Sequence, residues 1–288
     1  MRLLEPGDLI EGKYRIIRQI GEGGMGAVFE GEAIRIHRRV AIKVLFPHAG
    51  SEEELAKRFQ LEAQAAGRIG SSHIVEVIDF GVLPSGSHFM VMELLDGESL
   101  RSRIQGRGRL RPDEIFPIAL QLLDGLAAAH NAGIHHRDLK PDNVFLVRSP
   151  QGDFVKLLDF GISKFGSNTR GPGSPAEMSL TRTGTLLGTP YYMSPEQASG
   201  GKATDHRADL YAVGVILYEA LTGVVPFQAD TFNELIFKIV LEQPRPVNTV
   251  VPNADPAFVK LVERAMAREP NHRFQSAVEL RAALEGLG

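Results

Sequence analysis

The stretch His136–Gly161 reads HRDLKPDNVFLVRSPQGDFVKLLDFG. Its first eight residues form the densest polar cluster in the chain, wedged between a helical pattern upstream and the apolar strand run Val144–Val147 downstream. A second strand run, Phe154–Leu158, ends in Asp159-Phe160-Gly161. Two oxygen ligands, Asn143 and Asp159, thus sit at adjacent strand ends, which is what a hard cation such as Mg2+ requires. The Asp138 carboxylate is suited to accept a hydroxyl proton. Taken singly, each of these side chains reads equally well as loop polarity.

Upstream, Gly21-Glu22-Gly23-Gly24-Met25-Gly26-Ala27-Val28 lies between two strand-like runs. Glycines let backbone N–H groups approach phosphate oxygens without Cβ clashes, and a plain hairpin turn is the competing reading. A dinucleotide-binding fingerprint opens a helix after a strand, whereas Ala27–Glu32 continues as strand. In Val40-Ala41-Ile42-Lys43 the lysine has Ile42 and Val44 as neighbours, so alternation points it to the opposite face from theirs. It is either a solvated edge residue or, if that face is enclosed, a charge that needs a partner. Glu62, mid-helix in RFQLEAQAAGRI, is the candidate partner, or an ordinary solvated carboxylate.

The pattern changes near Glu93–Gly97. Before it, strand-like runs at 14–20, 39–45, 74–78 and 88–94 carry β-branched residues, interrupted by one helix over 52–68 that opens with Ser51 as N-cap. After it, helices are predicted over 112–131, 205–221, 231–240, 256–267 and 276–284. A small β-rich lobe joined to a larger α-rich lobe follows. Residues 165–184, rich in Gly, Ser, Thr and Pro, lack apolar periodicity, and a connection this long is functional or mobile in compact domains.

The 288 residues hold 35 acidic and 32 basic side chains, so 35 − 32 leaves a net charge of −3. With 43% hydrophobic and 23% charged residues the chain is ordinary globular, which excludes disordered and collagen-like classes. Cys 0 removes disulfides, thiolate metal sites and cysteine nucleophiles. The charge gives no electrostatic case for nucleic acid or an anionic membrane. Glu5, Asp8 and Glu11 interrupt the apolar stretch that a signal peptide needs. Glu219 falls inside the most hydrophobic run, Leu210–Phe227, which reads as a buried core helix rather than a membrane span. His37, His73 and His206 are isolated in sequence and receive no metal. Arg101, Arg103, Arg107, Arg109 and Arg111 read as a solvated basic face in preference to an anionic docking site.

The set GxGxxGxV, VAIK, HRDLKPDN, DFG and SPE, in that order, resembles the protein-kinase signature, and RDLKPDN, GTPYYMSPEQ and DLYAVGVILYE are most similar to bacterial, eukaryotic-like (Hanks-type) serine/threonine kinases. The resemblance covers about residues 12–285. It implies an α+β bilobal protein-kinase fold, with a small antiparallel β-sheet lobe carrying one helix (about 12–94), a hinge (about 93–97) and a larger, mainly α-helical lobe (about 98–285). An activation segment would span 162–187.

For matching positions the resemblance implies roles, all within the phosphoryl-transfer scheme. Ile20, Gly21, Glu22, Gly23, Gly24, Met25, Gly26, Ala27 and Val28 would contribute to ATP binding, the glycine loop covering the phosphates. Lys43 would hold the α/β-phosphates and pair with Glu62. Val28, Ala41 and Phe145 would sandwich adenine, with Met92 as gatekeeper and Glu93 to Leu95 as the hinge contacts. Asp138 would position and deprotonate the substrate hydroxyl, Lys140 would steady the γ-phosphate, and Asn143 and Asp159 would bind Mg2+, with Mn2+ as a substitute. Asp209 would brace the catalytic loop, and Glu196 would pair with Arg273. Ser194 in place of alanine, and the bulky Phe145 on the adenine floor, depart from the family pattern.

The implied activity is transfer of the ATP γ-phosphate to serine or threonine hydroxyls of protein substrates, with no nucleic acid partner and no membrane segment in this chain. Arg137 beside Asp138 suits capture of a phosphorylated loop. Thr181 and Thr183 resemble autophosphorylated threonines, and a transient homodimer would carry out that reaction. The implied location is cytoplasmic, including as the cytoplasmic part of a longer anchored protein. Two other classes compete: a nucleotide-binding scaffold, opposed by intact Lys43, Asp138, Asn143 and Asp159, and a small-molecule phosphotransferase, opposed by the Gly188-Thr189-Pro190 and Ser194-Pro195-Glu196 segments.

Overall fold

The computed structural model describes residues 4–23, 26–46, 52–160, 190–200 and 204–287. Two units, Met1–Asp96 and Gly97–Gly288, each have their own core. In the first, strands β1 (Leu9–Ile10), β2 (Tyr14–Gly23), β3 (Gly26–Ala33) and β4 (Arg38–Leu45) precede helix α1 (Glu52–Ile69) and strands β5 (Val77–Val82) and β6 (His88–Glu93). They form one antiparallel sheet in the order β1-β2-β3-β4-β6-β5.

Alternation sorts the side chains of this sheet onto two faces. Ala27 and Phe29 of β3 join Val40, Ile42 and Val44 of β4 in one buried cluster with Ile16, Phe89 and Val91. Met90 of β6 faces the other way and packs with Phe59 and Ala63 of α1, and Met92 lies against that cluster. Lys43 is in register with Met90, and Ala41 with Met92, so both project toward the face that α1 covers.

The run predicted as a strand over 74–78 pairs later than expected. The continuous strand starts at Val77, while Ile74 makes an isolated β-bridge and both Ile74 and Val75 are buried. Between the two, Glu93 takes up the backbone of Glu76: the Glu93 N–H donates to the Glu76 carbonyl, and the Glu76 N–H donates to the Glu93 carboxylate.

The second unit begins with strand β7 (Gly97–Ser99), helix α2 (Leu100–Arg107) and helix α3 (Pro112–Asn131). A 3-10 turn at Pro141–Asn143 leads into strands β8 (Val144–Ser149) and β9 (Gly152–Leu157), which with β7 make an antiparallel sheet in the order β7-β8-β9. Helices α4 (Pro195–Ala198), α5 (Arg207–Thr222), α6 (Phe232–Leu241), α7 (Val247–Val250), α8 (Pro256–Ala265) and α9 (Ala277–Glu285) follow.

Helix α5 is the centre of this unit. Every residue from Ala208 to Thr222 is buried, which accounts for its continuous apolar sequence. Gly223 ends it in the left-handed conformation, φ 78°, that glycine adopts without strain. Glu219 is tolerated inside because Arg101 donates to it at 2.6 Å and the Tyr192 hydroxyl also bonds to it. No helix among the described residues is long and apolar enough to cross a membrane.

Candidate active site

In the first unit, Gly21, Glu22 and Gly23 of β2 stand opposite Val28, Ala27 and Gly26 of β3. Gly26 is demanded by packing, since a Cβ there would lie 2.1 Å from the Val44 carbonyl oxygen. Gly21 and Gly23 are not. Among the described residues a Cβ at Gly21 would meet only Val28 at 3.8 Å, one at Gly23 would meet nothing within 4 Å, and neither residue has a positive φ. The fold leaves open space beside these two backbones, which suits the close approach of phosphate oxygens. On the neighbouring strand, Lys43 Nζ lies 3.3 Å from Glu62 Oε1 of α1, with both side chains mostly buried. The enclosed face therefore holds a paired charge rather than a lone one. Ile20 is exposed at the end of the same strand pair, and Val28 is in register with Lys43.

In the second unit the polar cluster forms the connection between α3 and β8, and α5 holds it in place. The Asp209 carboxylate, at the start of α5, accepts the N–H groups of His136 (2.8 Å) and Arg137 (2.8 Å). It also accepts Nε2–H of His130, from the last turn of α3, at 2.9 Å. Arg137 sits at φ 63° and Asp159 at φ 47°, left-handed conformations that L-residues occupy only when their surroundings hold them there. Lys140 Nζ donates to Asp138 Oδ2 at 3.1 Å. The Asn143 side-chain N–H donates to the Asp138 carbonyl at 2.9 Å, which leaves its amide oxygen as the atom for a ligand. The Leu158 N–H bonds the Asn143 carbonyl at 2.9 Å, so Asp159 follows a residue tied directly to Asn143. Phe145 lies one step along β8, in register with Lys156 and Ser99.

A profile of the protein kinase domain matches residues 14–283. The chain belongs to the protein kinase family. This kinase domain is 42% identical over 284 residues to the serine/threonine-protein kinase pkn3 of Myxococcus xanthus, covering 98% of this chain and 51% of that protein. With the serine/threonine-protein kinase Pkn1 of the same organism the identity is 42% over 275 residues, covering 95% and 38%. The kinase domain thus spans about half, or less, of the length of these two curated relatives. Its structure is similar to that of the Mycobacterium tuberculosis PknI kinase domain, with a TM-score of 0.76 and 26% identity over 99% of this chain. The bilobal protein-kinase fold is shown on these grounds, and kinase domains of this family use ATP and a divalent metal.

Several features of the kinase domain were not legible as motifs. The arginine run is not a solvated face throughout: Arg101 and Arg103 are both largely buried. Arg101 bonds Glu219, Asp142 and the Tyr192 hydroxyl, and Arg103 bonds Glu98 and both oxygens of Asp153. Arg107, Arg109 and Arg111 are exposed and fit the solvated description, Arg107 pairing with Glu114 and Arg111 with Asp113 and Glu114 at the surface. Nor is His206 isolated in space, since its ring centroid is 5.3 Å from that of His130 and 6.0 Å from that of His135. No group of three or more His, Cys, Asp or Glu suited to a metal ion occurs among the described residues. Glu196 and Arg273 form a bidentate pair at 2.8 and 2.7 Å, and Arg273 also donates to three backbone carbonyls. Gly24, Met25, Gly161, Thr181, Thr183 and the Gly188-Thr189 part of the pocket motif lie outside the described residues.

The electrostatics of the loop set a pH dependence. Burial alone would push the Asp209 carboxyl up, but the hydrogen bond and charge of His130 and the Arg137 N–H outweigh it and hold it below the usual range. His136 is fully buried, and desolvation pushes its pKa down from 6.5 against the opposing pull of Asp209 and Asp138. Its Nε2–H donates to the Leu158 carbonyl at 3.0 Å, and Phe160 covers the ring at 4.8 Å between centroids. A base with a depressed folded-state pKa is protonated first in the unfolded chain. Stability is therefore complete above about pH 6.5 and falls below it by up to about 1.4 kcal/mol per pH unit until the folded-state value is reached. Thermal denaturation from pH 7.5 to 5.5 is expected to show a falling Tm, with a shallower slope in His136→Phe. Equal slopes in the two proteins would remove His136 from this account.

Proposed function

We propose that this kinase domain transfers the γ-phosphate of ATP to serine and threonine hydroxyls of proteins, with Mg2+ as the metal, and that Asp138 is its general base. The observation that carries the reading is the fixed position of Asp138, paired with Lys140 and carbonyl-bonded to Asn143, on a loop pinned to Asp209.

The donor set suits the metal. The Asn143 amide oxygen and the Asp159 carboxylate are hard oxygen ligands, and Mg2+ takes a few such ligands together with phosphate oxygens. Bound there, the cation neutralises charge on the transferring phosphate. The remaining work belongs to the chain. The open backbone at Gly21 and Gly23 receives phosphate oxygens, and Lys43, oriented by Glu62, donates to them. Ile20, Val28, Ala41 and Phe145 supply apolar contact to the base, and Met92, Glu93 and Leu95 line its edge. Asp138 orients the acceptor hydroxyl and takes its proton, while Lys140 keeps the carboxylate turned and its own charge near the phosphate. Regulation follows by phosphorylation of Thr181 and Thr183, with Arg137 next to Asp138 as a cation for the resulting phosphate.

The test is incubation of the purified protein with ATP and Mg2+, read by site-resolved mass spectrometry, beside transfer to a generic protein substrate. Phosphate on Thr181 or Thr183, with a rate per molecule that rises with protein concentration, supports activation between two copies. A concentration-independent rate places the reaction within one copy. Absence of both autophosphorylation and substrate transfer would favour a nucleotide-binding scaffold.

A further inference from the structure

We infer that Gln197 is a positioning residue for Asp138, holding the peptide bond that precedes it through the carbonyl of Arg137. The inference rests on the reading of Asp138 as the base and adds a residue that the motif itself does not contain.

Gln197 is buried, in the short helix α4, and its side chain is used at both ends. Its Oε1 accepts the Ser194 N–H at 3.0 Å and the Ser194 hydroxyl at 3.2 Å, while the Gln197 N–H donates to Ser194 Oγ at 3.4 Å. This reciprocal cap fixes which end of the amide carries the oxygen, because a backbone N–H demands an acceptor. The nitrogen, Nε2, is then turned to the Arg137 carbonyl and donates to it at 3.0 Å.

Arg137 is the left-handed residue of the loop, and such a conformation persists only where its neighbours over-determine it. Its N–H is held by Asp209 Oδ1 at 2.8 Å. The next peptide plane is held at both edges, its carbonyl by Gln197 and its Asp138 N–H by the His136 carbonyl at 2.9 Å. Rotation of that plane would turn the Asp138 side chain, and Gln197 is the side chain that grips its carbonyl. A residue serving only as a cap has no need of the amide nitrogen, since glutamate completes the same box.

Gln197→Glu therefore separates the two roles. It keeps the acceptor for Ser194 and removes the donor to Arg137. The expected result at pH 8 is a kcat lowered about tenfold, with KM for ATP within about twofold, since a small misplacement of a reacting group is costly to the chemical step. The Tm is expected to fall, because at pH 8 the buried carboxylate faces the Arg137 carbonyl without a donor, so kcat is compared at a temperature where the variant is folded. As pH falls and the introduced carboxyl takes up a proton, it regains a donor, so the ratio of variant to parent kcat is expected to rise. Ser194→Ala removes the cap hydroxyl and leaves the Gln197–Arg137 bond, so it is expected to lower Tm with kcat little changed.

A parent-like kcat in Gln197→Glu at all pH values, or an equal loss of kcat in Ser194→Ala, would overturn the inference. Should Gln197→Glu melt below the assay temperature, Gln197→Met supplies a neutral side chain of similar length without the donor, and a parent-like kcat there overturns it equally. Asp138→Asn run alongside keeps the two readings apart. Full activity in that variant rejects Asp138 as the base, whereas its inactivity together with a parent-like Gln197→Glu rejects only the role given to Gln197.

Discussion

Asp138→Asn lowers the rate of phosphoryl transfer by about 10²–10⁴-fold, the range typical of a positioned general base, with KM for ATP within about threefold. Asparagine has the same shape but no oxygen able to take up a proton. The backbone bonds of residue 138 do not involve the side chain: its N–H donates to the His136 carbonyl, and its own carbonyl accepts from Asn143. The loop therefore survives the change. The pair with Lys140 at 3.1 Å is weakened, a partly exposed contact of the kind worth about 1 kcal/mol or less. Steady-state kinetics with a protein substrate, nucleotide titration and thermal denaturation on the same preparation check all three points. A variant that loses ATP binding or melts much earlier would assign Asp138 to structure, and one that keeps its rate would remove it from the chemistry.

Asp209→Ala is expected to lower stability by about 3–5 kcal/mol and to reduce kcat at least as severely as the loss of a hydrogen-bonded buried group elsewhere in the loop. The carboxylate is almost fully buried and accepts three hydrogen bonds, from His136, Arg137 and His130. Its removal strands two backbone N–H groups and an imidazole N–H in a dry interior. It also frees the left-handed Arg137 from one of its two restraints. Asp209→Asn is the graded comparison, since one amide oxygen remains to accept. Chemical denaturation gives the stability, and kcat is measured at a temperature where each variant is folded. A parent-like kcat in folded Asp209→Ala would show that the loop holds its shape without α5.

What the sequence disclosed depended on how far apart the interacting groups lie along it. Ile42 and Val44 fixed the face of Lys43 by alternation but not whether that face was enclosed; its candidate partner Glu62 could be named because it is only 19 residues away, on the next helix. The buried run of α5 was readable from hydrophobicity alone. By contrast, α2 escaped notice, since only Leu100 and Ile104 of its residues are buried. Its arginines are neutralised by Asp153 and Glu219, respectively 50 and 118 positions from Arg103 and Arg101. The same holds for Gln197, whose partner is 60 positions upstream, and for His206, which meets His130 and His135 only once α3 and α5 are packed. Pattern reports which way a side chain faces; it does not report which distant group waits there.

The open space beside Gly21 and Gly23 bears on the history that the chain can have had. Among the described residues a Cβ at either position meets no clash, unlike one at Gly26, whose backbone is pressed against Val44. In a lineage retained only as a structural platform, substitutions at 21 and 23 would be invisible to selection on stability and would accumulate by drift, while Gly26 stayed. On the proposed reading the two glycines would be markers of use rather than of architecture, and their replacement would silence nucleotide handling with little effect on the fold.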